Sequence, residues 1–157
     1  AEGAVRVESR GEVLNQFLVE VFGQILKAEA ACLAGKDLSL RELHLIDAVC
    51  RAVDQGGDNR STAIAAALGI TAGTLTSAVN LLEKKGYLLR RRDERDKRVV
   101  HLLPTERGRA ADARHRDFHR QMVAHVLDGL TDEEAECTLR ALGRVAEFFR
   151  RGAPERG

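Results

Sequence analysis

Residues 61–89, STAIAAALGITAGTLTSAVNLLEKKGYLL, contain two short helical patterns with a glycine turn between them. The first serine can cap a helix over residues 62–68, and Gly69 closes that helix in a tight turn. Thr71 can cap a second helix over residues 72–85, which the next glycine stops. Two short helices joined by a three-residue turn that contains glycine are typical of a helix-turn-helix.

A β-hairpin is predicted directly after the second helix. Residues 87–89 and 98–103 are short strand-like runs, and the very polar residues 90–97 lie between them. Two such runs with a polar connection indicate a hairpin with a charged, exposed tip. An arginine at a protruding tip fits the narrow minor groove of DNA, where the negative potential is enhanced, and a neighbouring aspartate can hold it extended.

Long helices are predicted on the N-terminal side of this segment. Residues 8–35 carry apolar side chains at spacings of three and four, which is typical of a helix. This stripe is wider than one small neighbouring domain would cover, so a partner subunit is expected. Ser39 and Glu42 form a capping box that opens a helix ending near Val53.

Two further helices are predicted in the C-terminal third. Thr105 opens the first, and a second capping box in residues 130–134 opens the last, which runs to about Phe148. Residues 150–157 are expected to form a frayed tail. The expected fold class is mainly α, with about six helices and a two-stranded β-wing, in a homodimer.

The composition excludes several classes of protein. The chain has 157 residues, the size of one ordinary domain, and 44% of them are hydrophobic and 31% charged. That balance is typical neither of a disordered nor of a membrane-spanning chain, and the first residues lack the pattern of a signal peptide. Cys32, Cys50 and Cys137 are too widely spaced to suggest a disulfide framework. We therefore expect a cytoplasmic protein with reduced thiols.

Positive charge is concentrated in residues 60–107. This segment holds ten Lys and Arg residues against five Asp and Glu residues, a net charge of +5, whereas the rest of the chain has a net charge of −4. A basic segment in a nearly neutral protein indicates one localised anionic partner. The alternative is an ordinary solvated surface, which the adjacent helix-turn-helix argues against.

The exposed start of the second short helix carries small polar side chains. Such side chains let a helix N-terminus approach DNA closely, and its dipole and free N–H groups favour phosphate. Asn80 can read an adenine edge. A plain three-helix packing unit without DNA is the alternative. The candidate DNA-contacting residues of this helix are Thr74, Thr76, Ser77, Asn80 and Lys84.

The segment GYLLRRRDERDKR, residues 86–98, followed by TERG at residues 105–108, resembles the winged helix-turn-helix of the MarR family of transcription regulators. The family pattern is GLVxR…D-x-R…LTxxG, which is long and fairly specific. The resemblance implies that Arg98 enters the minor groove and that Asp96 braces the wing. Pro104 departs from the pattern, because the family usually has leucine before the threonine, and only a local change is expected there.

The same resemblance implies the rest of the DNA-binding surface and the domain layout. Arg90 matches the arginine at the base of the wing, and the family dimerises through its first and last helices. Residues 39–104 would form the DNA-binding region, and residues 1–38 and 105–157 the helical dimerisation region. Two-fold symmetry implies an inverted-repeat operator with half-sites about one helical turn apart. The wing residues expected near phosphates are Arg91, Arg92, Arg95 and Lys97.

Four segments carry a narrower likeness, namely ELHLIDA at 42–48, GTLT at 73–76, KGY at 85–87 and HRDFHRQM at 115–122. They resemble the FabT subgroup, the repressors of fatty-acid synthesis within the same family. This likeness implies a repressor without a required cofactor, whose DNA affinity rises when a long-chain acyl group on acyl carrier protein occupies a tunnel in the dimer. Core packing explains the apolar residues equally well. The candidate lining residues are Phe17, Val21, Phe22, Leu26, Phe118 and Met122.

Three histidines form a candidate metal site. His115 and His119 share one face of a helix because they are four residues apart, and His44 lies on another helix. Zinc-sensing members of the family resemble this arrangement, and zinc accepts three nitrogen ligands with a cysteine or a carboxylate. No acidic ligand is expected where those sensors have one in the first helix, since Leu26 stands there. Histidines with structural hydrogen bonds are the alternative.

The sequence contains no catalytic motif. It lacks GxSxG, a Walker loop, HExxH and GxGxxG, so we do not expect an enzyme. Three function hypotheses remain: an acyl-responsive repressor of lipid synthesis, a zinc-responsive regulator, and a helical dimer that serves as a binding scaffold without DNA. A regulator that senses thiol oxidation or a small phenolic ligand is a further alternative.

Overall fold

The computed structural model describes residues 2–33 and 37–151, with side chains from residue 10 onward. Within these residues it contains six helices and one two-stranded antiparallel sheet, which confirms the predicted fold class. Two compact units are present, Ala1–Arg116 and Asp117–Gly157. The elements in chain order are α1 Glu2–Cys32, α2 Leu40–Asp54, α3 Ser61–Leu68, α4 Ala72–Lys84, β1 Leu88–Arg92, β2 Val100–Pro104, α5 Glu106–Asp128 and α6 Asp132–Arg150.

The long helices differ only at their ends from the predicted bounds. α1 begins earlier than predicted and ends at Cys32, while residues 34–36 lie outside the described residues. Of the predicted tail, only Arg150 and Arg151 are described, at the end of α6. Among the described helices, no single one is long and apolar enough to cross a membrane; α3 and α4 pass that test only as a pair bent by 109°, by length and composition alone.

The core of the first unit is formed mainly by α2, α3, α4 and the sheet. The predicted apolar stripe of α4 is turned inward, and Leu75, Val79 and Leu82 are each at most 2% exposed. Burying a side chain of this size stabilises the fold by about 1.5–3 kcal/mol. The helix-turn-helix and the hairpin therefore share one core. The other large side chains buried in it are Leu38, Leu43, Leu45, Ile46, Val49, Ile64, Tyr87, Leu88 and Leu102.

Local hydrogen bonds determine where α2 and α4 begin. The Ser39 hydroxyl accepts from the Glu42 N–H, and the Glu42 carboxylate accepts from the Ser39 N–H, so the predicted capping box is present. The Thr71 hydroxyl accepts from the Thr74 N–H, as predicted. Each bond satisfies a backbone donor that the first helical turn leaves without a partner.

The start of α3 corrects one prediction. Ser61 is the first helical residue and does not cap the helix; Arg60 occupies the N-cap position without a side-chain cap hydrogen bond. The Asp58 carboxylate instead accepts from the Arg60 N–H at 3.0 Å, which turns the chain into the helix one residue early. Gly69 ends α3 at φ 64°, a left-handed conformation that glycine adopts without strain, as predicted.

The first strand of the hairpin is longer than predicted. β1 extends to Arg92 and β2 begins at Val100, so Leu88 pairs with Pro104 and Arg92 with Val100. Arginines that were assigned to the polar tip thus belong to a strand, because the backbone pairing continues past the apolar residues. The connection between the strands is residues 93–99.

The second unit contains the end of α5 and the whole of α6. The Thr131 hydroxyl accepts from the Glu134 N–H and the Glu134 carboxylate accepts from the Thr131 N–H, which confirms the second predicted capping box. Within the described chain, α6 has no buried residue. Its large exposed apolar side chains are Leu139, Leu142, Phe148 and Phe149.

Candidate nucleic-acid interface

α4 presents a polar surface on the side away from its buried stripe. All five side chains predicted to contact DNA on this helix are exposed. The Thr71 hydroxyl, which caps the helix, also lies 2.9 Å from the Thr74 hydroxyl. The dipole of an α-helix makes such an N-terminus favourable for an anion. The exposed residues are Thr74, Thr76, Ser77, Asn80 and Lys84.

Arg90 ties the hairpin to α4. Its Nη1 donates to Asn80 Oδ1 at 2.7 Å and pairs with the Glu83 carboxylate. Its Nη2 donates to the Thr76 carbonyl at 3.1 Å, and its backbone N–H donates to Glu83 Oε1 at 2.9 Å. The Arg90 side chain is consequently only 28% exposed. Arg90 thus fixes the position of β1 relative to α4.

Two aspartates organise the hairpin tip. Asp93 Oδ1 accepts from the backbone N–H groups of Asp96 at 3.0 Å and Arg95 at 2.8 Å, and these bonds lower the pKa of Asp93. Asp96 accepts from Arg98 Nε at 3.1 Å and from Arg98 Nη2 at 3.2 Å, which lowers the pKa of Asp96. The Arg98 side chain is 92% exposed. A braced arginine therefore lies at the exposed tip, in the arrangement that the D-x-R pair predicted.

Further cations lie around this tip. Arg60, at the start of α3, donates from Nε to both oxygens of Asp58 and lowers the pKa of Asp58 to about 2. The hairpin adds four exposed cationic side chains that the sequence predicted near phosphates. They are Arg91, Arg92, Arg95 and Lys97.

His101 is a residue of this surface that the sequence reasoning missed. Its Nδ1 lies 2.8 Å from Asn59 Oδ1, and its Nε2 lies 3.2 Å from Asp93 Oδ2. The side chain is 23% exposed. The ring therefore links the loop before α3 to the hairpin tip. Its partners lie 42 and 8 residues away in the chain, so no local pattern in the sequence identifies it.

A buried glutamate lies beside two of the three candidate metal ligands. Glu29 Oε1 is 2.9 Å from His115 Nε2 and 3.6 Å from His44 Nε2, and the side chains of Glu29 and His115 are both 6% exposed. The position that the zinc sensors use is Leu26, as noted from the sequence, but another residue of α1, Glu29, brings a carboxylate beside these histidines. His119 belongs to the second unit.

Another buried polar cluster joins α2 to the first part of α5. Arg116 Nε lies 2.8 Å from Asp112 Oδ2 and 3.8 Å from Asp47 Oδ1. Burial, with the nearby Asp47 carboxylate, raises the pKa of Asp112 to about 6. Burial also raises the pKa of Cys50 to about 12, which makes this thiol a poor nucleophile at neutral pH.

The six residues predicted to line an apolar tunnel are divided between the two units. Four lie on α1, where both phenylalanines are exposed and Val21 and Leu26 are half-buried. Phe118 and Met122 are half-buried in the second unit. The tunnel stays a prediction.

Known structures share this arrangement of elements. Residues 49–100 match the family model described as MarR family. Streptococcus pneumoniae FabT in complex with DNA is similar with a TM-score of 0.80 and 34% identity, over 89% of this chain and 97% of that chain. Two structures at lower identity share the fold: an S. aureus MepR–DNA complex (TM-score 0.67, 18% identity, 85% of this chain and 94% of that chain) and a MarR family protein from Bacillus stearothermophilus (TM-score 0.69, 20% identity, 91% and 97%).

Two curated relatives from Bacillus subtilis match a part of the chain. They are the uncharacterized HTH-type transcriptional regulators YwhA, 31% identical over 72 residues, and YcgE, 31% identical over 85 residues. These matches cover 46% and 52% of this chain. The chain spans about half the length of these relatives, 52% of YwhA and 53% of YcgE.

Proposed function

The chain belongs to the MarR family of DNA-binding transcriptional regulators, and we propose that it binds double-stranded DNA as a homodimer in the cytoplasm. In this proposal α4 enters the major groove and the hairpin follows the adjacent minor groove as a wing. The net charge of +5 in residues 60–107 attracts the phosphate backbone.

The braced arginine at the wing tip is the observation that carries this proposal. Arg98 is 92% exposed, while Asp96 holds its guanidinium through two hydrogen bonds. A guanidinium gains most where a narrow minor groove concentrates negative potential. Because the side chain is ordered before it binds, less conformational entropy is lost on binding.

The exposed side chains of α4 supply the contacts with base edges. Thr76 and Ser77 are short hydroxyl residues that accept or donate a hydrogen bond. The carbonyl oxygen of Asn80 already accepts from Arg90, so its amide nitrogen is the group that donates to a base. Reading adenine with both atoms of the amide requires the Arg90–Asn80 hydrogen bond to open.

Apolar side chains on α1 and α6 support the homodimer. Large exposed apolar patches on a folded chain mark protein–protein contacts. A symmetric dimer presents two copies of α4 and of the wing, which is the basis of the proposed inverted-repeat operator. The exposed residues are Val13, Leu14, Phe17, Val19 and Phe22 on α1, and Leu139, Leu142, Phe148 and Phe149 on α6.

The regulated process in this proposal is fatty-acid synthesis. A long-chain acyl group, carried by acyl carrier protein, strengthens DNA binding and so closes a feedback loop. Support comes from the four FabT-like segments and from the 34% identity to FabT over 97% of that chain. The residues that the sequence predicts for contact with the acyl chain are Phe17, Val21, Phe22, Leu26, Phe118 and Met122.

Fluorescence anisotropy on labelled DNA from the protein's own upstream region tests the DNA-binding proposal. Arg98→Ala is expected to weaken binding about tenfold or more, because a groove contact of this kind contributes about 1–3 kcal/mol. Arg114→Ala is the matched control, since it removes an exposed arginine outside the basic segment and should bind like the wild type. Wild-type affinity in Arg98→Ala would refute the role of the wing tip.

The acyl proposal is tested in the same assay. Long-chain acyl–acyl carrier protein is compared with the unacylated carrier at equal concentration. Tighter DNA binding with the acylated form alone is the expected result. Equal affinity with both forms would refute the acyl proposal and leave the DNA-binding proposal in place.

A zinc-responsive regulator is the second candidate function, and Glu29 is the observation that favours it. Glu29 Oε1 lies 2.9 Å from His115 Nε2 and 3.6 Å from His44 Nε2, and a carboxylate with two imidazoles is a donor set that fits zinc; Glu29 and His115 are buried, while the His44 side chain is 42% exposed. Metal analysis of protein purified without a histidine tag should find about one zinc per chain, and Glu29→Gln should lose it. A wild-type protein that retains no zinc after dialysis against micromolar zinc would exclude this function.

A further inference from the structure

His101 lies between two oxygen acceptors on different parts of the DNA-binding unit. Nδ1 is 2.8 Å from Asn59 Oδ1 and Nε2 is 3.2 Å from Asp93 Oδ2. The orientation of the Asn59 amide follows from Leu102, whose carbonyl accepts from Asn59 Nδ2 at 2.9 Å. The Leu102 N–H also donates to the Asn59 carbonyl at 2.9 Å. Asn59 therefore presents its oxygen, not its amide N–H, to the histidine.

This arrangement matches one protonation state of the ring. A neutral imidazole has one N–H donor and one acceptor nitrogen, so it can satisfy only one of the two oxygens. Its second nitrogen would then place a lone pair against an oxygen lone pair. The imidazolium donates from both nitrogens and satisfies both oxygens. The two contacts of His101 are thus compatible with each other only when the ring is doubly protonated.

Asp93 connects this ring to the arginine at the tip. While Oδ2 faces His101, Oδ1 accepts from the N–H groups of Arg95 and Asp96. The tip is closed further by backbone hydrogen bonds from Asp93 to the Val99 carbonyl at 3.0 Å and from Val99 to the Asp96 carbonyl at 2.9 Å. Asp96 then holds Arg98. The position of Arg98 therefore depends on how firmly Asp93 is anchored.

We propose that His101 is a positioning residue of the wing, and that its imidazolium anchors Asp93 to the loop before α3 and makes DNA affinity depend on pH. This inference rests on the proposed DNA-binding function. Protonated His101 holds the tip in the shape that presents Arg98. After loss of the proton, one of the two contacts breaks, and His101 no longer links the tip to the loop before α3.

Charged groups of both signs surround His101. Asp93 and Asp58 are the nearby anions, and His101 contributes to the lowered pKa of each. Phosphates of bound DNA offset the repulsion that the surrounding arginines exert on an imidazolium. Other charged groups also face His101. Arg91 is its partner on the opposite strand, and Arg60 forms a β-bridge with it. Arg92, Glu94 and Arg95 line the same surface hollow as His101.

Fluorescence anisotropy of labelled DNA, titrated with protein from about pH 5.5 to 8.5 at constant ionic strength, measures the DNA affinity and tests the proposal. Wild-type affinity is expected to fall about threefold to tenfold between pH 6 and pH 8 as His101 loses its proton. His101→Gln has similar reach but cannot gain a proton, so its affinity should be nearly constant over this range. His125→Gln is the matched control, because it removes an exposed histidine in the last turn of α5 and should keep the wild-type pH profile.

Asp93→Asn gives an independent test that does not alter the ring. Its amide oxygen can still accept from the tip N–H groups, while its amide nitrogen donates to a neutral Nε2. The pH dependence is therefore expected to disappear or to reverse. Urea denaturation at pH 6 and pH 8 shows that both variants are folded under the assay conditions. A wild-type pH profile in either folded variant would overturn the proposal.

Arg98→Ala separates this inference from the function on which it rests. If His101 acts through the wing tip, Arg98→Ala alone should remove most of the pH dependence, and adding His101→Gln should change nothing further. DNA binding that is sensitive to Arg98→Ala but independent of pH in the wild type would refute the inference and leave the function standing. Full DNA affinity in Arg98→Ala would instead refute the proposed function.

Discussion

Gly108 shows how a single residue determines the junction between the hairpin and α5. A Cβ at this position would lie 2.2 Å from the Tyr87 carbonyl oxygen, much closer than two such atoms can approach. The Thr105 hydroxyl accepts from the Gly108 N–H at 3.0 Å and donates to the Gly86 carbonyl at 2.7 Å. The T-x-x-G spacing, identified from the sequence as part of a family pattern, is therefore a packing requirement at this junction.

Gly108→Ala should destabilise the protein by about 1–3 kcal/mol, because the chain around Tyr87 must move to admit the methyl group. Gly73→Ala is the matched control. It lies in α4 with its nearest neighbouring atom, Thr71 Oγ1, at 4.0 Å, and is expected to be neutral or to stabilise by about 0.5–1 kcal/mol. Urea denaturation of both variants checks this. Equal midpoints for the two alanine variants would contradict the close approach at Gly108.

At the scale of secondary-structure elements, α4 and β1 act as one body because of Arg90. The sequence resemblance placed this arginine in the DNA-binding set, at the base of the wing. In the structure its guanidinium contacts Asn80, Glu83 and the Thr76 carbonyl, all on α4. An arginine with these partners positions the wing relative to α4. Arg91, the next residue along β1, is exposed and available to phosphate.

Salt dependence distinguishes these two neighbouring arginines. Arg91→Gln removes one proposed phosphate contact and should reduce the slope of log K against log salt by about 0.9. Arg90→Gln should weaken DNA binding through the loosened wing but leave that slope unchanged. Fluorescence anisotropy titrations between about 50 and 250 mM salt give the slopes of both variants. A reduced slope in Arg90→Gln would show that Arg90 contacts phosphate directly.

Most element boundaries were predictable because their causes are local. The capping boxes at Ser39 and Thr131 involve residues only three positions apart, so the letters themselves identify them. The end of β1 was not predictable in this way. Its arginines are polar and resemble a loop, yet they pair with β2 because the hairpin register continues from Leu88. The start of α3 was missed because Asp58, rather than Ser61, makes the local hydrogen bond.

At the scale of the whole molecule, the carboxyl groups respond to pH in two opposite ways. Among the described residues, a hydrogen bond is the largest cause of the lowered pKa of six of them, and the pKa of Glu42 is lowered as well. The stability that these groups contribute is therefore present above their ordinary pKa values and is lost as the pH falls below about 4. Asp112 behaves oppositely, since burial raises its pKa to about 6. Its ionisation opposes folding at neutral pH, and that cost disappears as the pH falls from about 6 towards its ordinary value. The six groups are Asp37, Asp54, Asp58, Asp93, Asp96 and Glu134.

The free energy of unfolding should therefore be largest near pH 5, and should fall both towards pH 3 and towards pH 7. Asp112→Asn removes the ionising group, so the free energy of unfolding should no longer fall between pH 5 and pH 7. In the wild type this decrease is on the order of 1–3 kcal/mol for a pKa shift of this size. Asp117→Asn, at a half-buried carboxyl of the same helix, is the control and should keep the wild-type profile. Urea denaturation across pH 3–8 measures these profiles. If the free energy of unfolding of Asp112→Asn still falls between pH 5 and pH 7, another group causes the decrease.

The features that the sequence determines and those that only the tertiary structure decides thus have different physical causes. Helix starts, the left-handed turn at Gly69 and the D-x-R brace arise between residues two to four positions apart, where chain connectivity alone guarantees proximity. The partners of His115, His101 and Arg90 lie 86, 42 and 10 residues away. Such pairs meet only after tertiary folding, in which burial of the apolar core joins α2, α3, α4, the hairpin and the start of α5. The spacing of residues in the sequence does not record that packing.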